Sequence, residues 1–374
     1  MLLLAHRNLL YDKARFAVTL AGIVFAIVLV VIQLGLFIGF TVSTSAVIDR
    51  SGADLWIAAK GVQYFEVAYP LSERKQYLAL GAPGVVAADK LIVRFSNWRR
   101  PDGAETNVVV IGFNPDSGAG GPWDLIAGAR ENLKIADTVI IDDFYRADLG
   151  VRAPGELVEI NNRRARVVGL TRGIRSFTTT PFVFTSFKNA LNYTATREDQ
   201  TMYVLARAAP GLSPAGIKTG LRARLGDVDV FTREEFSDRT RHYWLFTTGA
   251  GIALLVAALV GLMVGCVVVA QTIYATTVDH LREYGTLKAI GASNAYVYSV
   301  ILQQALWSAL AGYGLGMAVA FAVIRLSRRA GATILVPWQL SAGMFVLTLM
   351  MCVGGALVSV HKVTSLDPAE VFRE

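Results

Sequence analysis

Apolar and mixed polar sequence alternate along this chain on a scale much longer than a helical turn. Four stretches contain no Asp, Glu, Lys or Arg: residues 16–40, 243–278, 289–324 and 330–360, of 25, 36, 36 and 31 residues. A helix needs about 20 apolar residues to cross the hydrocarbon of a bilayer, so each stretch is long enough to be a membrane span. The spacing is uneven. A long hydrophilic block follows the first span, whereas only Asp279-His280-Leu281-Arg282-Glu283-Tyr284-Gly285-Thr286-Leu287-Lys288 separates the second from the third.

The expected fold is an α-helical membrane protein with four transmembrane helices and an α+β domain inserted between the first and second. Its parts read as an amphipathic N-terminal segment (1–15), the first span (16–48), the extramembrane domain (49–231), and a stalk helix with the second span (232–278). A charged turn (279–294), the third span (295–324), a short connection (325–336), the fourth span (337–360) and a tail (361–374) complete it.

Inside the hydrophilic block the pattern shortens to the period of strands. Runs at 54–58, 90–95, 108–113, 138–141, 182–185 and 202–206 predict β-structure. Residues 156–160 and 163–170 alternate on either side of Asn161-Asn162. Asn tolerates positive φ, so this pair predicts a hairpin with a two-residue type I′ turn. Helices are expected at 72–80, 186–191 and 213–225. Thr232-Arg233-Glu234-Glu235 has the form of a capping box. It predicts a helix running through Arg241 without interruption into the second span, a stiff link for tilt or rotation.

Composition agrees with membrane residence. Hydrophobic residues make up 53% of the chain and mean hydropathy is +0.45, too apolar for a soluble globule of this length. A 25-residue first run exceeds a signal-peptide core and reads as an uncleaved anchor. Arg7, Lys13 and Arg15 precede it, which favours a cytoplasmic N-terminus. Four spans then bring the C-terminus and the 279–294 turn to the cytoplasmic side and the α+β domain to the other. Arg325, Arg328 and Arg329, in the connection assigned outside, run against this trend.

The block 49–241 holds 26 Lys/Arg against 23 Asp/Glu. So even a balance is a solvated surface and excludes a nucleic-acid footprint. Both cysteines, Cys266 and Cys352, lie in apolar runs, so the domain is expected to carry neither a disulfide framework nor a thiolate metal site. The spans contain Gln33, Gln271, Gln303 and Gln304 but no ionisable core residue. Glutamine cannot relay a proton by titrating, so ion-coupled transport is disfavoured.

Other candidates for chemistry fail on spacing. In Gly211-Leu-Ser-Pro-Ala-Gly216-Ile217-Lys218-Thr219 an isoleucine stands where a phosphate-binding loop needs its lysine. Ser213-Pro214 instead reads as a helix start. His6, His242, His280 and His361 are far apart, and Asp142-Asp143 is an adjacent pair whose carboxylates diverge. No catalytic, cofactor or metal residue is assigned. Gly35 and Gly39, Gly261 and Gly265, and Gly312 and Gly316 repeat at four-residue spacing. Such faces let helices pack closely, within one chain or across a homodimer.

The charged turn places residues 279, 282 and 283 on one face and Tyr284, Leu287 and Ile290 on another, an amphipathic element suited to a partner's groove. The string Arg282-Glu283-Tyr284-Gly285-Thr286-Leu287-Lys288-Ala289-Ile290-Gly291-Ala292 resembles the coupling-helix signature of FtsX/MacB-type ABC transporter permeases, at the place where that family has it. Leu149-Gly150, Gly155–Ile160 and Val167-Val168-Gly169 look like the family's periplasmic core domain, and 365–373 like its Pro-Ala-containing C-terminus. Residues 17–25 and 33–35 look most like the DevC branch.

This resemblance implies a non-catalytic export permease in a bacterial inner membrane. It would work with a second copy of itself and a cytoplasmic ABC ATPase dimer that holds the MgATP. A periplasmic adaptor (membrane fusion protein) and an outer-membrane channel would complete a DevC-type machine. Arg282, Glu283, Tyr284, Gly285, Leu287, Lys288, Ile290, Gly291 and Ala292 would couple to the ATPase. Glu283 would pair with a basic residue, Leu287 would fill a groove, and the glycines would allow close approach. The alternatives are an FtsX-like regulator of cell-wall hydrolases and a lipoprotein-extracting or haem-exporting permease.

Overall fold

The computed structural model describes residues 13–176, 180–279, 281–327 and 333–364. Residues 1–12, Arg328, Arg329 and the 365–374 tail, on which some of the expectations above rest, lie outside these. In chain order the helices are α1 (Lys13–Asp49), α2 (Arg74–Leu80), α3 (Phe187–Thr194), α4 (Pro214–Leu225), α5 (Arg233–His242), α6 (Ala250–Asp279), α7 (Leu281–Ala289), α8 (Asn294–Ser327) and α9 (Trp338–Thr364). The strands are β1 (Leu55–Ala58), β2 (Leu71–Ser72), β3 (Val85–Arg99), β4 (Glu105–Phe113), β5 (Leu125–Ala127), β6 (Thr138–Asp142), β7 (Leu157–Ile160), β8 (Arg163–Thr171), β9 (Phe182–Ser186), β10 (Gln200–Thr201), β11 (Tyr203–Ala208) and β12 (Asp229–Thr232). Two units result: Phe40–Gly251, and Met1–Gly39 with Ile252–Glu374.

The Phe40–Gly251 unit is the α+β domain. Nine strands run β12-β1-β11-β3-β4-β9-β6-β8-β5, and β7 pairs with β3 and β8. Side chains of a strand alternate between faces, and β1 shows what this does. Leu55 and Ile57 enter a core with Ile217, Leu221 and Leu225 of α4, while Trp56 and Ala58 enter a second, larger core. Covered on both faces, β1 carries no exposed residue. The larger core also takes Val47 and Ile48, from the last turns of α1. Around Trp56 stand Phe65, Tyr203 and Phe236, with ring centroids 5.2–5.9 Å away. Each such buried side chain contributes about 1.5–3 kcal/mol by leaving water.

Most expected elements form. Asn161 and Asn162 have φ of 48° and 59° and join β7 to β8 in register, Ile160 opposite Arg163. Thr232 Oγ1 accepts from the Glu235 backbone N–H at 3.2 Å, and Glu235 Oε2 accepts from that of Thr232 at 2.9 Å, closing the capping box. The continuous stalk does not form. After α5 the backbone loosens into a π-helical turn, Tyr243–Thr247, then bends at Thr248 and Gly249 before α6 begins at Ala250. Gly249 has φ of +75°, which no helix continues through.

Among the described residues, four helices are long and apolar enough to cross a membrane: Phe16–Asp49, Ala250–Val278, Asn294–Ser327 and Trp338–Val358. Their glycines explain the packing. A Cβ on Gly312 would come 2.5 Å from Ile23, and one on Gly316 would come 3.0 Å from Ile27, so the third span seats two isoleucines of the first. Gly265 lies against Ala26 and, more loosely, Gly261 against Leu29. Gly35 and Gly39 receive no helix. The connection before α9 presses on them, with the Thr333 carbonyl oxygen 1.8 Å from where a Gly39 Cβ would stand. The Leu335 N–H also donates to the Gly35 carbonyl at 3.0 Å. Within the chain these three glycine faces are thus filled by intrachain contacts.

Candidate coupling segment and the joint of the extramembrane domain

The turn between the second and third spans folds as α7. His280, just before it, lies outside the described residues. Gly291, with φ of +100°, stops the helix. The Ala292 N–H returns to the Leu287 carbonyl at 2.9 Å and the Gly291 N–H to the Lys288 carbonyl at 3.0 Å. This pair of bonds is a Schellman stop, which satisfies carbonyls that the helix end leaves open. Ser293 then starts α8, its Oγ accepting from the Tyr296 N–H at 3.3 Å. The sequence Gly-Ala-Ser is therefore a compact elbow, with the Gly291 and Ala292 N–H groups returned to the helix and the Ser293 carbonyl accepting from Tyr296 and Val297.

The side chains divide differently from the pattern expected from sequence. Tyr284 is only 1% exposed and belongs to the core of the membrane unit. Its hydroxyl donates to Gln304 Oε1 on α8 at 2.9 Å. Burial, with Glu283 beside it, pushes the phenol well above its usual range. Tyr284 is thus an internal strut, not part of a docking face. Leu287 is half-buried against the same core, and so only partly available to fill a groove. Gly285 is buried and Lys288 half-buried. Glu283, Thr286 and Ile290 are exposed, Ile290 at 80%. They recur at the three- and four-residue spacing of one helical face. Arg282 lies on α7 and Ala292 in the elbow.

In the extramembrane domain a second constellation ties the end of α1 to α5. Asp49, the last residue of α1, accepts from Arg241 Nη2 at 2.8 Å through Oδ2 and from Ser237 Oγ at 2.6 Å through Oδ1. Ser45, one turn earlier, donates to Asp49 Oδ2 and accepts from Arg241 Nε, both at 2.8 Å. Arg241 also approaches Asp238 at 3.4 Å. The sequence gives no local sign of this cluster, because its members stand almost 200 positions apart.

Next to it, residues 62–66 are clasped by the π turn. Tyr64 stacks on Tyr243 with centroids 4.0 Å apart, and the Arg239 Nε donates to the Val62 carbonyl at 2.9 Å. Glu66 is 7% exposed, and its Oε2 accepts from Trp244 Nε1 at 3.4 Å. Burial raises its carboxyl to about 7, which the backbone and Trp244 hydrogen bonds only partly oppose. Asp142-Asp143 are likewise structural. Asp142 is buried and accepts from Thr171 Oγ1 and from the Ile174 and Phe144 N–H groups, whereas Asp143 pairs with Arg146 at 3.0 Å. Among the described residues no three His, Cys, Asp or Glu side chains cluster as a metal site.

Residues 16–224 match the model of the MacB-like periplasmic core domain, and residues 244–368 that of the FtsX-like permease C-terminal region. An uncharacterised ABC transporter permease of Mycobacterium tuberculosis is 24% identical over 375 aligned positions, covering 100% of this chain and 99% of the relative. The macrolide export ATP-binding/permease protein MacB of a Shewanella species is 28% identical over 205 positions, half of this chain and 30% of that protein. Among solved structures, the periplasmic region of MacB from Actinobacillus actinomycetemcomitans aligns with 50% of this chain and 93% of its own, at 11% identity and a TM-score of 0.39.

Proposed function

As a member of the MacB/FtsX family of ABC transporter permeases, this chain is, we propose, the permease subunit of an exporter in which a separate ATPase drives the extramembrane domain. The observation that carries this is the form of α7. One face is held inside the membrane unit through Tyr284 and Gln304, and the other offers Glu283, Thr286 and Ile290 outward. An element pinned on one side and open on the other can accept a push and pass it on as a body. The ATPase dimer, which holds the MgATP, docks on this face in each of two permease copies.

In this reading the chain itself catalyses nothing, and its N- and C-termini are cytoplasmic. Motion received at α7 passes to α8 through the Tyr284–Gln304 bond. The spans carry it to the extramembrane domain, where the Asp49–Arg241 cluster makes the end of α1 and α5 move together. With the backbone interrupted at Gly249, the stiff link in this reading is α1, which stays helical from Lys13 to Asp49. The substrate leaves on the side of that domain, with a periplasmic adaptor and an outer-membrane channel as further partners. Reconstitution with its partner ABC ATPase tests the proposal. Ile290→Asp and Glu283→Lys are expected to abolish stimulation of ATP hydrolysis by the permease while leaving membrane insertion intact. Full stimulation in the double variant sinks it.

A further inference from the structure

We propose that the base of the extramembrane domain holds a zwitterionic phospholipid headgroup, in a cavity of about 490 Å³ lined by Gln63, Asp238, Arg239, His242, Tyr243 and Thr247. The proposal does not rest on coupling to an ATPase. It rests on position, on charge and on the aromatic residues around the cavity.

Position follows from connectivity. Thr247 is three residues before Ala250, where the second span begins. Three residues of chain extend at most about 11 Å. The polar layer of a bilayer adds about 5–7 Å beyond each side of the hydrocarbon, so the cavity is tethered within reach of the headgroups.

The charges match a particular class of headgroup. Arg239 is held by its Nε–Val62 bond and lies over the Phe231 ring at 5.3 Å. Its terminal nitrogens meet no protein acceptor among the described residues, which leaves donors that suit a phosphate. His242 adds a ring nitrogen, with its ring set against Phe246 at 4.9 Å. Asp238 brings a carboxylate to the same cavity, engaged only at 3.4 Å by Arg241 and 76% exposed. A simple anion would be repelled by Asp238. A headgroup carrying both a phosphate and a primary ammonium satisfies both signs.

The aromatic residues agree. Tyr64, Tyr243 and Trp244 pack together with centroids 4.0–5.9 Å apart, and Tyr69 and Phe246 are 52% and 54% exposed. Tyr and Trp side chains concentrate at membrane–water boundaries. The π turn that carries Tyr243 and Thr247 widens the backbone there, and such turns recur at functional sites.

Native mass spectrometry of the full chain, released from nanodiscs of equal phosphatidylethanolamine and phosphatidylglycerol, tests the assignment. The unaltered chain is expected to retain phosphatidylethanolamine preferentially. Arg239→Gln should lower retention about tenfold, the scale of one lost charge-assisted bond, and Arg239→Lys should restore most of it. Asp238→Asn should reduce the preference over phosphatidylglycerol by up to about fivefold without abolishing binding. If Arg239→Gln disturbs folding, which a shifted thermal melt reveals, His242→Leu carries the same test with a smaller expected loss. Equal retention of both lipids by the unaltered chain, or unchanged retention and preference in His242→Leu and Asp238→Asn, overturns the proposal.

Discussion

Arg241 and Asp49 face each other at 2.8 Å across the junction of α5 and α1, with Ser45 and Ser237 completing the hydrogen bonds of both. Their side chains are 31% and 35% exposed, so the pair is partly desolvated and its geometry is fixed from four directions. A double-mutant cycle with Arg241→Gln and Asp49→Asn should give a coupling of about 1 kcal/mol, at the upper end for incompletely buried pairs. Thermal melts of the full chain in detergent measure it. On the proposed function the cluster joins the moving parts, and ATPase stimulation should fall further than that loss of stability explains.

The coupling segment predicts a split between two neighbouring positions. Tyr284→Phe removes the hydroxyl bound to Gln304 and should cost about 1 kcal/mol of stability. Ile290→Asp, at a site 80% exposed, should leave the melting temperature unchanged and abolish ATPase stimulation. Co-purification with the ATPase reads the second effect directly. The reverse pattern would mean that Tyr284, not Ile290, is the contact.

Two glycines of the third span provide a matched pair. Gly312→Ala places a methyl 2.5 Å from Ile23, whereas Gly314→Ala meets nothing within 4 Å. Overpacking of this kind costs about 1–3 kcal/mol. The first variant should therefore lower thermal stability in detergent, and the second should match the unaltered chain.

Glu66 predicts a pH dependence with a definite sign. Its folded-state carboxyl, at about 7, is above the ordinary 4.5, so the folded chain binds this proton more tightly than the unfolded one. The contribution is fully present below about pH 4.5 and is lost as pH rises through 7, on the order of 3 kcal/mol in all. Glu66→Gln keeps an acceptor for Trp244 and cannot ionise. It should flatten the stability profile between pH 4.5 and 7 and make the chain more stable than its parent at pH 8.

What could be read from sequence was what residues decide locally. Asn161-Asn162 dictates its turn through the φ that asparagine tolerates, and Thr232 with Glu235 closes a loop four residues long. Gly312 and Gly316 announce a close approach, although the sequence does not say that Ile23 and Ile27 fill it. Nothing local to Tyr284 tells that it turns inward, because its hydroxyl partner is Gln304, twenty positions away on another helix. The stalk was expected to be continuous because a capping box fixes only where a helix begins. Gly249 stands where the break falls, but glycine alone does not distinguish a tolerated helical position from a φ of +75°. Asp49 and Arg241 were invisible as a pair because each looks like an ordinary charge at the end of a run.

Strand β1 gives the fold a mechanical property. It begins six residues after Asp49 and lies between β11 and β12, antiparallel to both. Hydrogen bonds in such a ladder stand perpendicular to the strands. Only a load directed along β1 strains the bonds on both of its edges together, in shear. Because Leu55, at the start of β1, stands opposite Thr232, at the end of β12, the chain from α1 and the chain into α5 leave the sheet side by side. Pulled apart, they would open the β1–β12 ladder from that end; moved together, they displace the domain without loading the ladder.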